Sequence, residues 1–172
     1  MNFANPQIQT EDLPNIKEAV LKPISKTYLK IITLNKLAFY SLILSAVFGL
    51  KFFIKKDDFQ NNFWFVFIGV ILICIINFII SILAFQKRKY AIRAHDVIYA
   101  KGLIVHSMIT VPISRIQHVE ESRSWLARSF GLATLKIFTA GESGSDLSIN
   151  GLPHLEAIQI KDIISAKVNG KD

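Results

Sequence analysis

Residues 63–85, which read FWFVFIGVILICIINFIISILAF, decide the fold of this chain. The stretch contains no Asp, Glu, Lys or Arg. A helix of about 20 apolar residues, rising about 1.5 Å per residue, spans the hydrocarbon core of a bilayer. A soluble fold of 172 residues is too small to bury such a helix on every side. Trp64 near its start and Tyr90 just beyond its end are typical of the membrane interface. The stretch therefore predicts a transmembrane helix.

A shorter apolar stretch precedes it at residues 37–54, LAFYSLILSAVFGLKFFI. Its one charged residue, Lys51, lies near the end, where a long side chain reaches the headgroups. The linker at 55–62, KKDDFQNN, is short and polar, as in a helical hairpin. The stretch begins too deep in the chain for a cleavable signal peptide. The two stretches together predict a transmembrane hairpin.

Two polar residues of the second span, Asn77 and Ser81, lie four residues apart and share one helix face. They are able to hydrogen-bond the first helix. The alternative is that they bond their own backbone, and the sequence leaves both open.

The net charge of +7 lies around the apolar stretches. Residues 90–172 are nearly neutral, with nine basic and eight acidic residues. Basic flanks are the usual membrane pattern, whereas a nucleic-acid-binding protein carries a basic face on its folded domain. Nucleic-acid binding is therefore excluded as the expected function. The flanking cations are Lys17, Lys22, Lys26, Lys30, Lys36, Lys51, Lys55, Lys56, Lys87, Arg88 and Lys89.

The distribution of lysine and arginine predicts that both termini are cytoplasmic. Residues 1–36 are then a cytoplasmic N-terminal segment, and residues 55–62 an extracytoplasmic loop. The loop lysines, beside Asp57 and Asp58, weaken this asymmetry. The segment 25–36, SKTYLKIITLNK, is amphipathic, so it predicts either an interfacial helix or an ordinary approach to the first span.

After residue 86 the sequence changes to short alternating apolar and polar runs, which predict about seven strands. Residues 122–130 predict a helical turn capped by Ser124 and ended by Gly131. Leu135 and Ile137 are expected to face inward on a central strand. The predicted strands are Tyr90–Arg93, Val97–Ala100, Leu103–His106, Met108–Val111, Arg115–Glu121, Ala133–Thr139 and Asp146–Ile149.

The last apolar pattern, at residues 155–168, predicts an amphipathic helix. Its Ile160 and Ile164 are expected to seal the central strand. The predicted fold of residues 86–168 is a small, mostly β barrel closed by this helix, with residues 169–172 as a tail. The apolar residues assigned to the inward helix face are Leu155, Ile158, Ile160, Ile163 and Ile164.

The stretch Val111–Ala140, VPISRIQHVEESRSWLARSFGLATLKIFTA, resembles the core of the bacterial pleckstrin-homology-like (PH-like) domains of the YdbS-like membrane proteins. The matching features are Pro112 and Ile113, the run 115–119 (RIQHV), the turn 126–132 and the strand 135–139. The resemblance covers residues 86 to about 166, and the preceding hairpin fits the family layout. It implies a PH-like fold and a bacterial cytoplasmic (inner) membrane location, but no agreed biochemical activity.

No catalytic constellation stands out, so the chain is expected not to be an enzyme and to need no cofactor. The loop 141–145, GESGS, departs from the G-x-S-x-G nucleophile motif at Ser145 and lies between strands. The single cysteine, Cys74, lies in the second span and excludes a Cys-based zinc site. No histidine has a metal-ligand spacing to another histidine.

Two groups of residues are candidates for binding. The segment 115–128 offers Trp125 among arginines, and both residue types are favoured at protein interfaces. The alternative is that Trp125 plugs the barrel mouth and Arg128 pairs with Glu120 or Glu121. The candidate partner-binding residues are Arg115, Gln117, Arg123, Trp125 and Arg128. The candidate contacts to anionic lipid headgroups are Lys87, Arg88, Lys89 and Arg93.

The functional hypothesis is a membrane-anchored PH-like adaptor or scaffold that binds a protein partner at the cytoplasmic face of the bilayer. The resemblance implies another membrane protein as partner, with a larger relative carrying repeated PH-like domains as the natural candidate. Two alternatives remain open. One is an anionic-lipid-binding or envelope-stress protein, and the other is an accessory subunit of a membrane transporter or enzyme.

Overall fold

The computed structural model describes residues 20–140 and 147–170. Two long helices come first, followed by a mostly β domain with one long helix at its end. The elements are β1 (Lys22–Pro23), α1 (Tyr28–Phe53), α2 (Asp57–Gln86), β2 (Lys89–Ile92), β3 (Asp96–Lys101), β4 (Ser107–Pro112), a 3-10 turn (Ile113–Arg115), β5 (Ile116–Ser122), α3 (Trp125–Ser129), β6 (Leu132–Thr139), β7 (Leu147–Pro153) and α4 (His154–Val168).

Helices α1 and α2 pack together as the predicted hairpin. The turn between them is closed by Gln60, whose Nε2 donates to the carbonyls of Lys51 and Ile54, each at 2.7 Å. Only 6% of the most apolar window of each helix is buried. Apolar side chains exposed over the whole circumference of a helix need a lipid environment. The chain is therefore a two-pass membrane protein.

Both helices extend beyond the apolar stretches. α1 begins at Tyr28, so residues 28–36 continue directly into the first span as one helix. Tyr28, Leu29 and Ile32 pack against the core of the β domain. α2 begins at Asp57, which leaves residues 54–56 as the connection between the helices. The start of α1 thus packs on the β domain, and the same helix continues into the membrane.

The domain contains a four-stranded antiparallel sheet, β1-β2-β3-β4, and a three-stranded antiparallel sheet, β5-β6-β7. The predicted barrel is therefore not closed, because the strands are divided between these two sheets. β1 precedes the hairpin in sequence, yet Lys22 of β1 pairs with Tyr90 of β2. The β domain is thus completed by residues on both sides of the membrane hairpin.

The core lies between the two sheets and α4. Leu135 and Ile137 are fully buried on β6, as predicted. Ile160 and Ile164 of α4 cover the same core, also as predicted. The inward face assigned to α4 was partly wrong, because Leu155 is 74% and Ile163 51% exposed. The buried stripe instead follows Ala157, Ile160 and Ile164, a helical i, i+3, i+7 spacing.

The predicted strand Leu103–His106 was wrong, because these residues connect β3 to β4. Gly102 has φ +106°, and a Cβ there would lie 1.9 Å from the carbonyl oxygen of Val105. This tight turn lets Lys101 pair directly with Ser107. The loop 141–145 and Asp146 lie outside the described residues, and β7 begins at Leu147.

Candidate functional site

Helix α3 presents the most exposed aromatic side chain of the described β domain. Trp125, its first residue, is 76% exposed. Ser124 caps the helix, since its Oγ accepts from the backbone N–H of Ala127 at 3.2 Å, as the sequence predicted. Ala127 is the buried residue of α3, and it belongs to a small cluster with Ile31 of α1 and Leu132. The alternative in which Trp125 plugs the mouth of a barrel is wrong, because Trp125 is exposed and α3 packs inward through Ala127 instead.

The arginines beside Trp125 differ in their bonding. The Nε atom of Arg123 donates to the carbonyl of Leu132 at 3.4 Å. Arg128 is exposed and has no hydrogen-bond or ion-pair partner within residues 20–140 and 147–170. Its donors are therefore available on the surface that carries Trp125.

Neither acidic residue expected to pair with Arg128 does so. Glu120 accepts from Lys136 Nζ at 3.2 Å across β5 and β6. Glu121 lies 2.9 Å from Nδ1 of His154, at the start of α4. This part of the alternative is also wrong, because the two carboxylates pair with Lys136 and His154.

The five candidate partner-binding residues fall into two groups. Arg123, Trp125 and Arg128 lie together on α3 and the residues that enter it. Arg115 and Gln117 lie at the opposite end of β5, and a strand of this length spans about 20 Å. Sequence proximity suggested one cluster, but the extended strand between the groups separates them.

The candidate headgroup contacts are also divided. Lys87, Arg88 and Lys89 follow the last residue of α2 in direct succession. Arg93 lies beyond the far end of β2, where it pairs with Asp96 through two hydrogen bonds, one of 2.6 Å from its Nε. The bond to Asp96 raises the pKa of Arg93 above its ordinary value. Arg93 is therefore engaged within its own turn.

A cleft at the membrane end of the domain brings together residues that sequence reasoning did not group. It has a volume of about 270 Å³. Arg88 from the end of α2 and Lys101 from the end of β3 both line it. The remaining lining includes Tyr99, Ser148 and Asn150. The antiparallel pairing of Lys89 with Ala100 explains this meeting, which no local sequence pattern indicates.

A polar cluster also lies inside the hairpin. Asn77 Oδ1 accepts from Lys36 Nζ at 2.6 Å and from the hydroxyl of Tyr40 at 2.7 Å. Asn77 thus bonds the other helix, whereas Ser81 Oγ donates to the backbone carbonyl of Asn77 at 2.8 Å. Asn77 therefore follows the first alternative, a hydrogen bond to the other helix. Ser81 follows the second, a hydrogen bond to its own backbone. From the sequence, Lys36 was expected only to be one of the basic residues that flank the apolar stretches.

The described part of the chain contains no group of three or more His, Cys, Asp or Glu residues placed to hold a metal ion.

Comparison with known proteins assigns this architecture to a family. The model of the family described as "Bacterial PH domain" matches residues 38–168. The UPF0699 transmembrane protein YdbS of Bacillus subtilis (strain 168) is 32% identical over 100 residues, which cover 55% of this chain and 59% of that protein. The aligned part is thus less than two thirds of the relative's length. No solved structure matches the chain.

The region matched by the family model includes α2 and the strands and helices of the β domain from β2 to α4. Neither the family description nor the name of the relative states an enzymatic activity. Because the family model matches more than half of the chain, this protein belongs to the bacterial PH domain family and carries that domain behind a two-pass membrane hairpin.

Proposed function

We propose that this protein is a non-enzymatic, membrane-anchored adaptor that binds a second protein at the cytoplasmic face of the membrane. The observation that supports it most is the exposure of Trp125, 76%, beside Arg128, which has no hydrogen-bond or ion-pair partner among the described residues. An exposed tryptophan leaves one of the largest apolar side chains in contact with water. A partner that covers this side chain therefore gains the free energy of burying it. Trp and Arg are the residue types that dominate binding energy at protein interfaces.

The surface is preorganised. Ser124 caps α3, and Ala127 holds it against Ile31 and Leu132, so the direction of the helix is fixed before a partner arrives. A side chain on a rigid element loses little further conformational entropy on binding. Trp125 is therefore suited to be an anchor residue.

The charge of the surface supports a partner with an acidic binding segment. Arg123 and Arg128 flank Trp125 on α3 and its approach. A guanidinium group binds a carboxylate through paired N–H donors. The partner is thus expected to present an acidic segment with an apolar side chain that covers the Trp125 ring.

The position of the surface supports a partner that lies close to the membrane. α3 contacts α1, through the cluster that includes Ile31, close to where the helix enters the apolar stretch. A partner on α3 is then held near the bilayer, which favours another membrane protein. A larger relative with repeated PH-like domains remains the natural candidate, and a transporter or enzyme that takes this chain as an accessory subunit fits the same surface.

The proposal requires the domain to face the cytoplasm. Lys and Arg lie on both outer flanks of the hairpin, which favours both termini inside. A reporter fused after Asp172 should therefore read as cytoplasmic. A periplasmic reading would overturn this orientation.

The test is affinity purification of the tagged full-length protein from native membranes, comparing Trp125→Ala with Ile163→Ala. Ile163 is a matched control, because it is a large apolar side chain of α4 that is also exposed, 51%. Loss of an interface anchor costs about 2 kcal/mol or more, so Trp125→Ala should reduce recovery of the partner about 30-fold. Ile163→Ala should leave recovery unchanged, and both variants should melt like the parent protein.

Equal recovery of the partner by the parent protein and Trp125→Ala would contradict the proposal. So would a fall in melting temperature large enough to explain the lost binding, because Trp125 would then act in folding.

A further inference from the structure

The loop between β3 and β4 exposes two large apolar side chains at its tip. Ile104 is 84% and Val105 78% exposed. The turn is compact, since Gly102 at φ +106° brings its backbone against the carbonyl of Val105. The side chains at the tip therefore project from a defined turn, and the core of the domain does not use them.

The strand register places this loop at the membrane end of the four-stranded sheet. Lys89, the first residue of β2, follows shortly after the end of α2 and pairs with Ala100 of β3. The loop begins just beyond Ala100, because Lys101 pairs with Ser107 to close the β3–β4 hairpin. The β2–β3 turn lies at the opposite end of the same strands. The apolar tip is thus a neighbour of the point where α2 leaves the bilayer.

Two basic side chains, those of Arg88 and Lys101, lie near the loop. Arg88 and Lys101 line one cleft together with Ser148 and Asn150. The side chains of Arg88 and Lys101 make no hydrogen bond or ion pair within the part of the chain that the structure describes. Two like charges that share a cleft repel each other in the absence of an anion. The cleft is therefore complementary to a negatively charged group.

We propose that the β3–β4 loop docks the domain onto the bilayer that the hairpin spans. Ile104 and Val105 enter the boundary between headgroups and acyl chains, while Arg88 and Lys101 bind the phosphates of anionic phospholipids. Apolar side chains next to basic ones are the combination that binds an anionic membrane surface. The occupant follows from continuity, because the loop adjoins the end of a helix that already lies in this bilayer. The inference is independent of the adaptor role of α3.

The test measures the depth of the loop in the full-length protein. In a Cys74→Ser background, Ile104→Cys carries a polarity-sensitive fluorophore, and the protein is reconstituted into vesicles with shallow spin-labelled phospholipids as quenchers. The matched control is His95→Cys, an exposed position in the β2–β3 turn at the other end of the strands. The label at residue 104 should be quenched and blue-shifted in phosphatidylglycerol vesicles, and the label at residue 95 should be neither.

The second arm tests the cations. Replacement of phosphatidylglycerol by phosphatidylcholine should reduce the quenching at residue 104. Arg88→Gln and Lys101→Gln should do the same in phosphatidylglycerol, by about five-fold in the docked-to-undocked ratio for each charge removed. Thermal melting checks that the variants remain folded.

Equal quenching at residues 104 and 95 would overturn the proposal. The quenching at residue 104 could instead be the same in both lipids and in both variants. That result would overturn the assignment of Arg88 and Lys101 to headgroup binding.

Discussion

The ring of Tyr28, the first residue of α1, packs directly on the backbone of Gly151 in β7. A Cβ atom placed on Gly151 would lie 2.5 Å from Cγ of Tyr28. Just before the helix, the backbone N–H of Ser25 donates to the carbonyl of Gly151 at 3.0 Å. The first transmembrane helix therefore starts on the domain itself, so the hairpin and the domain share packed contacts here.

Gly151→Ala is expected to destabilise the protein. Gly151 has φ +80°, which costs an L-residue about 1–2 kcal/mol, and the added methyl group overlaps Tyr28, which costs about 1–3 kcal/mol more. The loss in free energy of unfolding should be about 2–5 kcal/mol, seen as a lower melting temperature of the full-length protein in detergent. Gly69→Ala is the control, because open space surrounds Gly69 in α2. Equal melting of the two variants would refute the packing argument.

The elements predicted from the sequence are those that depend on neighbouring residues. The apolar run of α2 and the alternation around Leu135 and Ile137 are local patterns, and both predictions are confirmed. The pairing of Lys22 with Tyr90 is not local, because the whole hairpin lies between them. The same holds for the contact of Tyr28 with Gly151. Such contacts arise only when the hairpin returns the chain to the place where it left the domain.

The candidate site shows the same division. Ser124 as a helix cap is a local signal, and the structure confirms it. The exposure of Trp125 depends on which face of α3 meets Ile31 of α1, so the sequence left it open. The proximity of Lys101 to Arg88 depends on the register of β2 and β3. Local pattern thus predicted which residue types are available, and tertiary packing decided which of them meet.

Asn77→Ala is expected to loosen the hairpin. It removes the carboxamide oxygen that accepts from Lys36 Nζ and from the Tyr40 hydroxyl. Interhelical hydrogen bonds in membranes contribute about 0.6–2 kcal/mol, so the melting temperature in detergent should fall measurably. Ser81→Ala is the control, because the hydrogen bond from the Ser81 hydroxyl goes to the backbone of its own helix, and the substitution should change stability by about 0.5 kcal/mol or less. A Ser81→Ala effect as large as that of Asn77→Ala would argue against a specific bond between the helices.

Ile137→Ala is expected to cost about 2–5 kcal/mol of stability, the range for truncation of a large aliphatic side chain in a core. Ile137 is fully buried on β6 beneath α4. Leu155→Ala removes a side chain of similar size that is 74% exposed on α4, so its effect should be about 0.5 kcal/mol or less. Chemical denaturation of the two variants, followed by a probe in the domain, distinguishes them. Similar midpoints would mean that the core is not centred on β6.

The contact between β1, β2 and α4 is expected to weaken in acid. Glu156 of α4 accepts from Lys22 Nζ at 2.7 Å and from the hydroxyl of Tyr90. Burial alone would raise the pKa of Glu156, but the hydrogen bonds from Lys22 and Tyr90 and the charge of Lys22 outweigh it and lower the pKa. Burial and the bond to Glu156 raise the pKa of Tyr90, which keeps its hydroxyl protonated as a donor.

The sign of the pH effect follows from the lowered pKa of Glu156. A carboxyl group with a lower pKa in the folded state stabilises that state above its unfolded pKa, near 4.5, and loses this contribution as the pH falls through the folded value. Because Lys22 is largely exposed, the effect should be about 1 kcal/mol or less. Glu156→Gln should therefore melt below the parent protein at pH 7 and approach it below pH 4.5. Glu120→Gln, which removes an exposed ion pair with Lys136, is the control and should show little of this convergence. A Glu156→Gln difference that stays constant across this pH range would show that the carboxylate does not link α4 to β1 and β2.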